Sequence, residues 1–162
     1  MGFLDKVKGW LNIGGPKVSI TEVHQPVVGK SGAVTGQFEI NTPREAKLLK
    51  CIQKFICVET TGEGENKSET TNVIGEVTTD TPMDIRPNIR WTGPIHIPYD
   101  LTGTLDKMAA KGGLMGALGK VGQFASGLGE KGTREYFVEV TCDIQGTPFD
   151  PSDKISVEAS VD

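Results

Sequence analysis

Short stretches in which apolar and polar residues alternate make up most of the chain from residue 17 onward. In residues 136–144, one face comprises Tyr136, Val138, Val140, Cys142 and Ile144. Residues 18–21, 34–40 and 155–161 show the same period of two, which is typical of a strand with one buried face. Because turn residues separate these stretches at regular intervals, the pattern predicts an all-β chain, an immunoglobulin-like antiparallel β-sandwich.

Prolines divide residues 83–101 into short apolar segments. Pro87, Pro94 and Pro98 stand between the isoleucines of this region, and proline has no N–H to contribute to a sheet. Prolines at this density are typical of the edges and turns of a sandwich. We therefore expect short strands here, at the edge of a sheet.

Residues 42–58 fit either a helix or a strand. The sequence TPRE at residues 42–45 matches a capping box with proline at the first helical position, and the apolar residues that follow fit helical spacing. Residues 55–60 are instead rich in strand-forming types, and the polar loop at residues 61–69 leads into an alternating stretch, as in a hairpin. The local pattern leaves both structures open.

A glycine-rich segment, residues 103–132, interrupts the strand pattern. If residues 104–129 form a helix, their apolar side chains form one stripe. The stripe consists of Leu114, Leu118, Val121, Ala125 and Leu128. Gln123 and Ser126 fall on the opposite, polar side. Because each glycine in a helix interior costs roughly 1 kcal/mol relative to alanine, this helical insertion needs a surface on which to form.

Residues 1–14 predict a second, shorter amphipathic helix. Its apolar arc consists of Phe3, Leu4, Val7, Trp10 and Leu11. The glycine pair and Pro16 that follow end the helix. We therefore expect an N-terminal helix at residues 1–14 and a single sandwich domain at residues 15–162 that carries the insertion at about residues 103–132.

Length and charge exclude several classes of protein. A chain of 162 residues suffices for one domain that buries about 70% of its unfolded surface. A formal net charge of −4, without a run of lysines and arginines, argues against nucleic-acid binding. The N-terminus lacks the apolar core of a signal peptide, and no stretch approaches the ~20 apolar residues of a membrane span. We expect a cytoplasmic protein.

The cysteines Cys51, Cys57 and Cys142 form no C-x-x-C motif. Cys51 and Cys57 share one face of the same expected strand, roughly 20 Å apart, which is beyond disulfide distance. We interpret all three as small buried apolar residues in a reducing compartment.

No motif indicates catalysis or metal binding. Gly29, Lys30 and Ser31 lack the earlier glycine of a phosphate-binding loop, because His24 stands at that position. His24 and His96 have no second ligand at helical spacing, and the chain has no G-x-S-x-G elbow. The acidic residues at 150–153 are interpreted as turn residues. We expect no enzyme activity, cofactor or metal; a metal-binding or hydrolytic enzyme is the disfavoured alternative.

The order of these elements resembles that of the bacterial and archaeal arrestin-like proteins of the sporulation-control (stage-zero M) family. The likeness rests on the turn at residues 26–29, the strand GQFEI at 36–40, the strand end Ile97-Pro98, and residues 136–144 followed by DPSD at 150–153. It covers residues 15–162 and does not account for the insertion. The resemblance implies one arrestin-type domain, a strand at residues 42–58, and a non-enzymatic adaptor or regulator.

The two amphipathic segments are the candidate interaction surface. They either cover the sandwich itself, dock on an unidentified protein partner or a second copy, or bind a membrane surface, which the few lysines and acidic charge would make weak. The glycines at 113, 116, 119 and 122 favour packing against protein over lipid, because they permit close approach of backbones. The candidate residues are Phe3, Val7, Trp10, Leu114, Leu118, Val121, Phe124 and Leu128.

Overall fold

A computed structural model of the chain describes residues 15–102, 133–147 and 149–161. Ten strands and one short 3₁₀ helix, Gly64–Asn66, occur in these residues. The strands are β1 (Lys17–Val23), β2 (Val27–Val28), β3 (Ser31–Asn41), β4 (Ala46–Thr61), β5 (Ser68–Thr79), β6 (Met83–Ile85), β7 (Trp91–Asp100), β8 (Thr133–Ile144), β9 (Ser152–Val157) and β10 (Ala159–Ser160).

Two antiparallel sheets pack face to face. The smaller sheet has the strand order β1-β3-β7, and the larger has the order β5-β4-β8-β9 with β6 also paired to β4. A short parallel pair, β2 with β10, lies beside them. The alternating stretches of the sequence are strands, and the predicted antiparallel sandwich is confirmed.

The core between the sheets consists of alternate residues of the central strands. Phe38 and Ile97 come from the smaller sheet, and Phe55 and Val138 from the larger; all four are fully or almost fully buried. The Phe55 ring lies 5.3 Å from the ring of Tyr99 and 5.9 Å from that of Tyr136, centroid to centroid. This aromatic cluster joins the two sheets near the end of β7 and the beginning of β8.

Residues 46–61 form the strand β4, so the helical interpretation of residues 42–58 is wrong and the strand implied by the resemblance is correct. Thr42 caps no helix: its Oγ1 donates to the carbonyl of Arg44 at 2.7 Å, within a turn. Strand β4 pairs with β5 from Cys51↔Thr79 to Thr61↔Ser68. The predicted hairpin is therefore confirmed.

Residues 91–100 form one continuous strand, β7, where separate short strands were expected. Strand β7 is an edge strand of the smaller sheet, as the prolines predict. The N–H of His96 points away from β3 and donates to the side chain of Gln53. Because Pro94 and Pro98 share this orientation, their missing N–H groups fall on the free edge and the pairing with β3 is uninterrupted.

A similar difference concerns residues 26–29, which the sequence predicts as a turn. They contain the two-residue strand β2, because the N–H groups of Val27 and Gly29 donate to the carbonyls of Glu158 and Ser160, each at 2.9 Å. The peptide bond between Gln25 and Pro26 is cis.

Both free edges of the smaller sheet are held by side chains from the larger sheet. The buried Gln53 amide of β4 donates to the carbonyl of Pro94 and accepts from the N–H of His96, both at 3.0 Å. The Asp153 carboxylate of β9 accepts from the N–H of Ile20 at 2.8 Å. A Cβ at Gly75 of β5 would lie 2.7 Å from the carbonyl oxygen of Pro98, so only glycine allows this approach.

The predicted helices at residues 1–14 and 104–129 lie outside the described residues, and they remain predictions. The same holds for the predicted domain boundaries there.

Replacing Gln53 by leucine tests the role of this amide in holding the sheets together. The Gln53→Leu variant leaves the Pro94 carbonyl and the His96 N–H without their partner, so we expect the free energy of unfolding to fall by about 2 kcal/mol or more. Urea denaturation followed by far-UV circular dichroism measures the change. Gln37→Leu, at an exposed position of β3, is the control and should shift stability by less than about 0.5 kcal/mol. Equal stability of the two variants would contradict this role.

Candidate interaction surface

The outer face of the larger sheet carries an apolar cluster on the side away from the core. Strand pairing places Val73 of β5 and Phe137 of β8 on either side of Ile56 of β4. Val58 lies two residues further along β4, on the same face. We call Ile56, Val58, Val73 and Phe137 the outer patch.

Burial within the outer patch is uneven. Val73 is 51% exposed, whereas Ile56 and Val58 retain only 5% and 7% exposure. Neither Ile56 nor Val58 belongs to the core cluster, which contains their neighbours Phe55 and Cys57 on the opposite face. Strand β4 therefore buries apolar side chains on both of its faces.

A row of charged residues borders the outer patch. Strand pairing aligns Glu76, Lys54, Glu139 and Lys154 across β5, β4, β8 and β9, so acidic and basic residues alternate. The Lys154 Nζ also lies 4.6 Å from the centroid of the Phe137 ring, a cation–π contact. The outer face thus combines an apolar area with a specific pattern of charge.

The residues predicted from the sequence as the interaction face all lie outside the described residues: Phe3, Val7, Trp10, Leu114, Leu118, Val121, Phe124 and Leu128. The structure shows where the longer segment is attached. Residue 102 follows β7, and Thr133 begins β8 opposite Thr60 of β4. The segment therefore joins β8 two strand positions from Glu135, which pairs with Val58 of the outer patch.

An ion pair marks this end of the sheet. The Arg134 Nε lies 3.6 Å from the Glu59 Oε1, and both side chains are mostly buried, with 17% and 12% exposure. Dissolved salt screens a partly buried ion pair less than it screens a fully exposed one. It fixes the first residues of β8 against β4.

Two cysteines lie directly opposite each other in the core. Cys51 of β4 pairs with Cys142 of β8, and their Sγ atoms are 3.3 Å apart and hydrogen-bonded. The Cys142 N–H donates to the carbonyl of Pro151 on the far side of its strand, so the two cysteines occupy a position where antiparallel strands approach most closely. The predicted burial of all three cysteines is confirmed, and none is disulfide-bonded.

The histidines lie on the surface. The His24 Nδ1 is 2.8 Å from the Thr35 Oγ1, and its Nε2 is 3.3 Å from the Glu22 Oε1. The N–H of His96 donates to the Gln53 side chain, and the His96 side chain is exposed. Within residues 15–102, 133–147 and 149–161, no three His, Cys, Asp or Glu side chains are grouped so as to hold a metal ion.

A small open cavity of about 270 Å³ lies between β6 and β7. Among its lining residues are Asp84, Arg86, Arg90 and Trp91. Its volume is below the ~300–1,000 Å³ that is usual for small-molecule sites.

Comparison with known proteins shows a likeness to solved structures. No family model and no curated protein sequence matches the chain. Among solved structures, the crystal structure of Spo0M, a sporulation control protein from Bacillus subtilis, matches with a TM-score of 0.61 and 13% sequence identity. The match covers 92% of this chain and 51% of the Spo0M chain, so this chain spans about half the length of Spo0M.

This likeness establishes the fold. It agrees with the arrestin-type sandwich that the sequence resemblance implies, and at 13% identity it shows a relation of fold alone. In the part of the chain that the structure describes, no helix is long and apolar enough to cross a membrane.

No local sequence pattern identifies the outer patch. Ile56 and Val58 lie in the stretch that fits either a helix or a strand, and Phe137 lies on the second face of the alternating residues 136–144. The register of β5, β4 and β8 brings them together, and the only local signal is that residues 55–58 are all apolar.

The buried thiols should resist chemical modification in the folded protein. The hydrogen bond with Cys51 and, after it, burial raise the pKa of the Cys142 thiol well above its ordinary value, whereas the same hydrogen bond lowers the pKa of the Cys51 thiol. All three cysteines are buried, with 5% exposure or less, so an aromatic disulfide reagent at about pH 8 should react with no native cysteine until denaturant is added. The exposed variant Ser19→Cys is the control and should react at once. Rapid reaction of one native thiol would contradict this prediction.

Proposed function

We propose that this chain is a non-enzymatic, arrestin-like regulatory protein that acts as an adaptor through protein–protein contacts. The observation that carries the proposal is the outer patch, an apolar area with a charged border on the outer face of the larger sheet. Partly exposed apolar groups rimmed by polar residues are typical of protein interaction sites.

The two parts of the outer face have different roles in this proposal. Phe137 and Val73 supply apolar contact area, as the anchors of protein interfaces do. The alternating row from Glu76 to Lys154 sets the orientation of the partner, because charge complementarity contributes more to specificity than to affinity. A partner with an apolar centre and alternating charges beside it fits this face.

The Spo0M likeness supports a regulatory role. Spo0M is described as a sporulation control protein, and we extend to this chain only the general role of a control protein. The buried positions of all three thiols also fit a protein that does not use cysteine chemistry. A cytoplasmic location and the absence of a cofactor are parts of the same proposal.

A photo-crosslinking experiment tests this function in the native cell. We expect p-benzoylphenylalanine in place of Val73, which is half-exposed at the rim of the outer patch, to crosslink a specific protein. The same group in place of Thr92, on the outer face of the smaller sheet, is the matched control and should not capture that protein.

The captured protein, once purified, allows a quantitative prediction. Because Val73→Asp places a charge in the apolar area, the dissociation constant measured by calorimetry should rise at least about tenfold. Thr92→Asp should leave it unchanged, and both variants should melt near the wild-type temperature because these side chains are exposed. Crosslinking only to lipid, or equal binding by both variants, would contradict the proposed function.

A further inference from the structure

A five-residue loop, residues 86–90, joins the larger sheet to the smaller one and carries two arginines. It connects β6, which pairs with β4, to β7, which pairs with β3. Arg86 and Arg90 stand at the two ends of the loop, and both line the cavity of about 270 Å³ between β6 and β7. Among the residues that the structure describes, neither guanidinium has a hydrogen-bond or ion-pair partner. We call this site the loop cavity.

The backbone of the loop is anchored before, within and after the arginines. Ile85 is 2% exposed and pairs with the first residue of β4. The Asn88 N–H donates to the carbonyl of Thr42 at 2.8 Å, and Asn88 has a φ of 58°, in the left-handed region that asparagine tolerates better than most residues. The Trp91 ring lies 5.7 Å from the Phe38 ring, centroid to centroid. The two arginines therefore extend from an anchored backbone.

Apolar groups lie beside the two cations. Ile89 is 53% exposed, although it precedes a strand whose alternate residues are buried. Trp91 lines the cavity, and its ring packs so closely over Gly93 that a Cβ there would lie 2.7 Å from the ring. The loop cavity thus offers an indole and an exposed aliphatic side chain next to two guanidinium groups, which suits a ligand that carries an anionic and an apolar group side by side.

The charge of the loop cavity favours a carboxylate over a phosphate. Its ionisable lining residues are Arg86, Arg90 and Asp84, so two cations and one anion leave a formal charge of +1. The adjoining loop adds Arg44 and Glu45, one charge of each sign. A single carboxylate neutralises the remaining charge, whereas a phosphate monoester, at about −1.5 to −2, would exceed it. Guanidinium groups also bind carboxylates through two parallel hydrogen bonds.

We propose that the loop cavity binds an acidic side chain of a protein partner, in a segment where an apolar residue adjoins the acidic one. The carboxylate accepts hydrogen bonds from Arg86 and Arg90, and the apolar residue packs on Ile89 and Trp91. The cavity is small for a complete small-molecule ligand, but one acidic side chain occupies much less space.

This site goes beyond the proposed function, because it is separate from the outer patch. Strand β4 begins at Ala46, which pairs with Ile85 next to the loop, and reaches Ile56 of the outer patch ten residues later. Ten residues of a strand span about 30 Å. The two sites are therefore tested independently.

Titration of the full-length, ¹⁵N-labelled protein with short blocked peptides tests the inference by nuclear magnetic resonance. The probe is the acetylated and amidated tetrapeptide GLEG, and its matched control is GLQG, which lacks only the charge. We expect GLEG to shift the signals of Ile89, Arg90 and Trp91 in a saturable manner. The dissociation constant of GLQG should be at least about tenfold larger, because charge-assisted hydrogen bonds are lost.

Variants of exposed charged residues locate the binding site. Arg86→Gln and Arg90→Gln should each raise the dissociation constant of GLEG about tenfold. Lys67→Gln, which removes the same charge from the loop between β4 and β5, is the control and should leave it unchanged. Asp84→Asn should lower it several-fold, because it removes a competing carboxylate. All four residues are exposed, so the variants should melt near the wild-type temperature.

Several outcomes would overturn the inference. Equal binding of GLEG and GLQG would show that the carboxylate is not recognised, and equal weakening by Lys67→Gln would show only a general effect of charge. Acetate that binds as tightly as GLEG would remove the apolar part of the proposal, and tighter binding of inorganic phosphate would assign the cavity to phosphate.

The Val73→Asp variant separates this inference from the proposed function. It should bind GLEG with the wild-type dissociation constant, because Val73 lies in the outer patch. Loss of GLEG binding in this variant would place the peptide on the outer patch and would overturn the inference. Failure of the peptide to bind at all would overturn it as well, without affecting the capture of a protein partner through Val73 in the cell.

Discussion

The closure of both edges of the smaller sheet by side chains of the larger sheet is the constraint on which this sandwich depends. An exposed edge presents unpaired N–H and C=O groups that attract other strands. The Gln53 amide of β4 satisfies both kinds of group on β7, and Asp153 of β9 satisfies the N–H of Ile20 on β1. The same bonds tie the two sheets together, so edge protection and sheet packing have one cause. The edge groups of Pro94, His96 and Ile20 are therefore not open to pairing with another strand.

Much of the fold could be predicted from local patterns, and the hardest element shows why the rest could not. Residues 136–144 alternate because β8 has one fully buried face. In β4, the residues at 55–58 are buried on both faces, so the period of two disappears and the apolar run equally fits a helix. The ambiguity therefore has a physical origin, since burial of both faces leaves no polar position in this stretch that would mark a strand.

The contacts that define the candidate surface depend on residues far apart in the sequence. The hydrogen bonds between Cys51 and Cys142 and between Ile20 and Asp153 result from how the strands and sheets are aligned. No sequence motif indicates them. The outer patch likewise draws on three strands. A single sequence shows which residues belong to a strand face, but it does not show which faces become neighbours. The sequence therefore identifies the amphipathic segments, whereas only the register of the folded sheet identifies the outer patch.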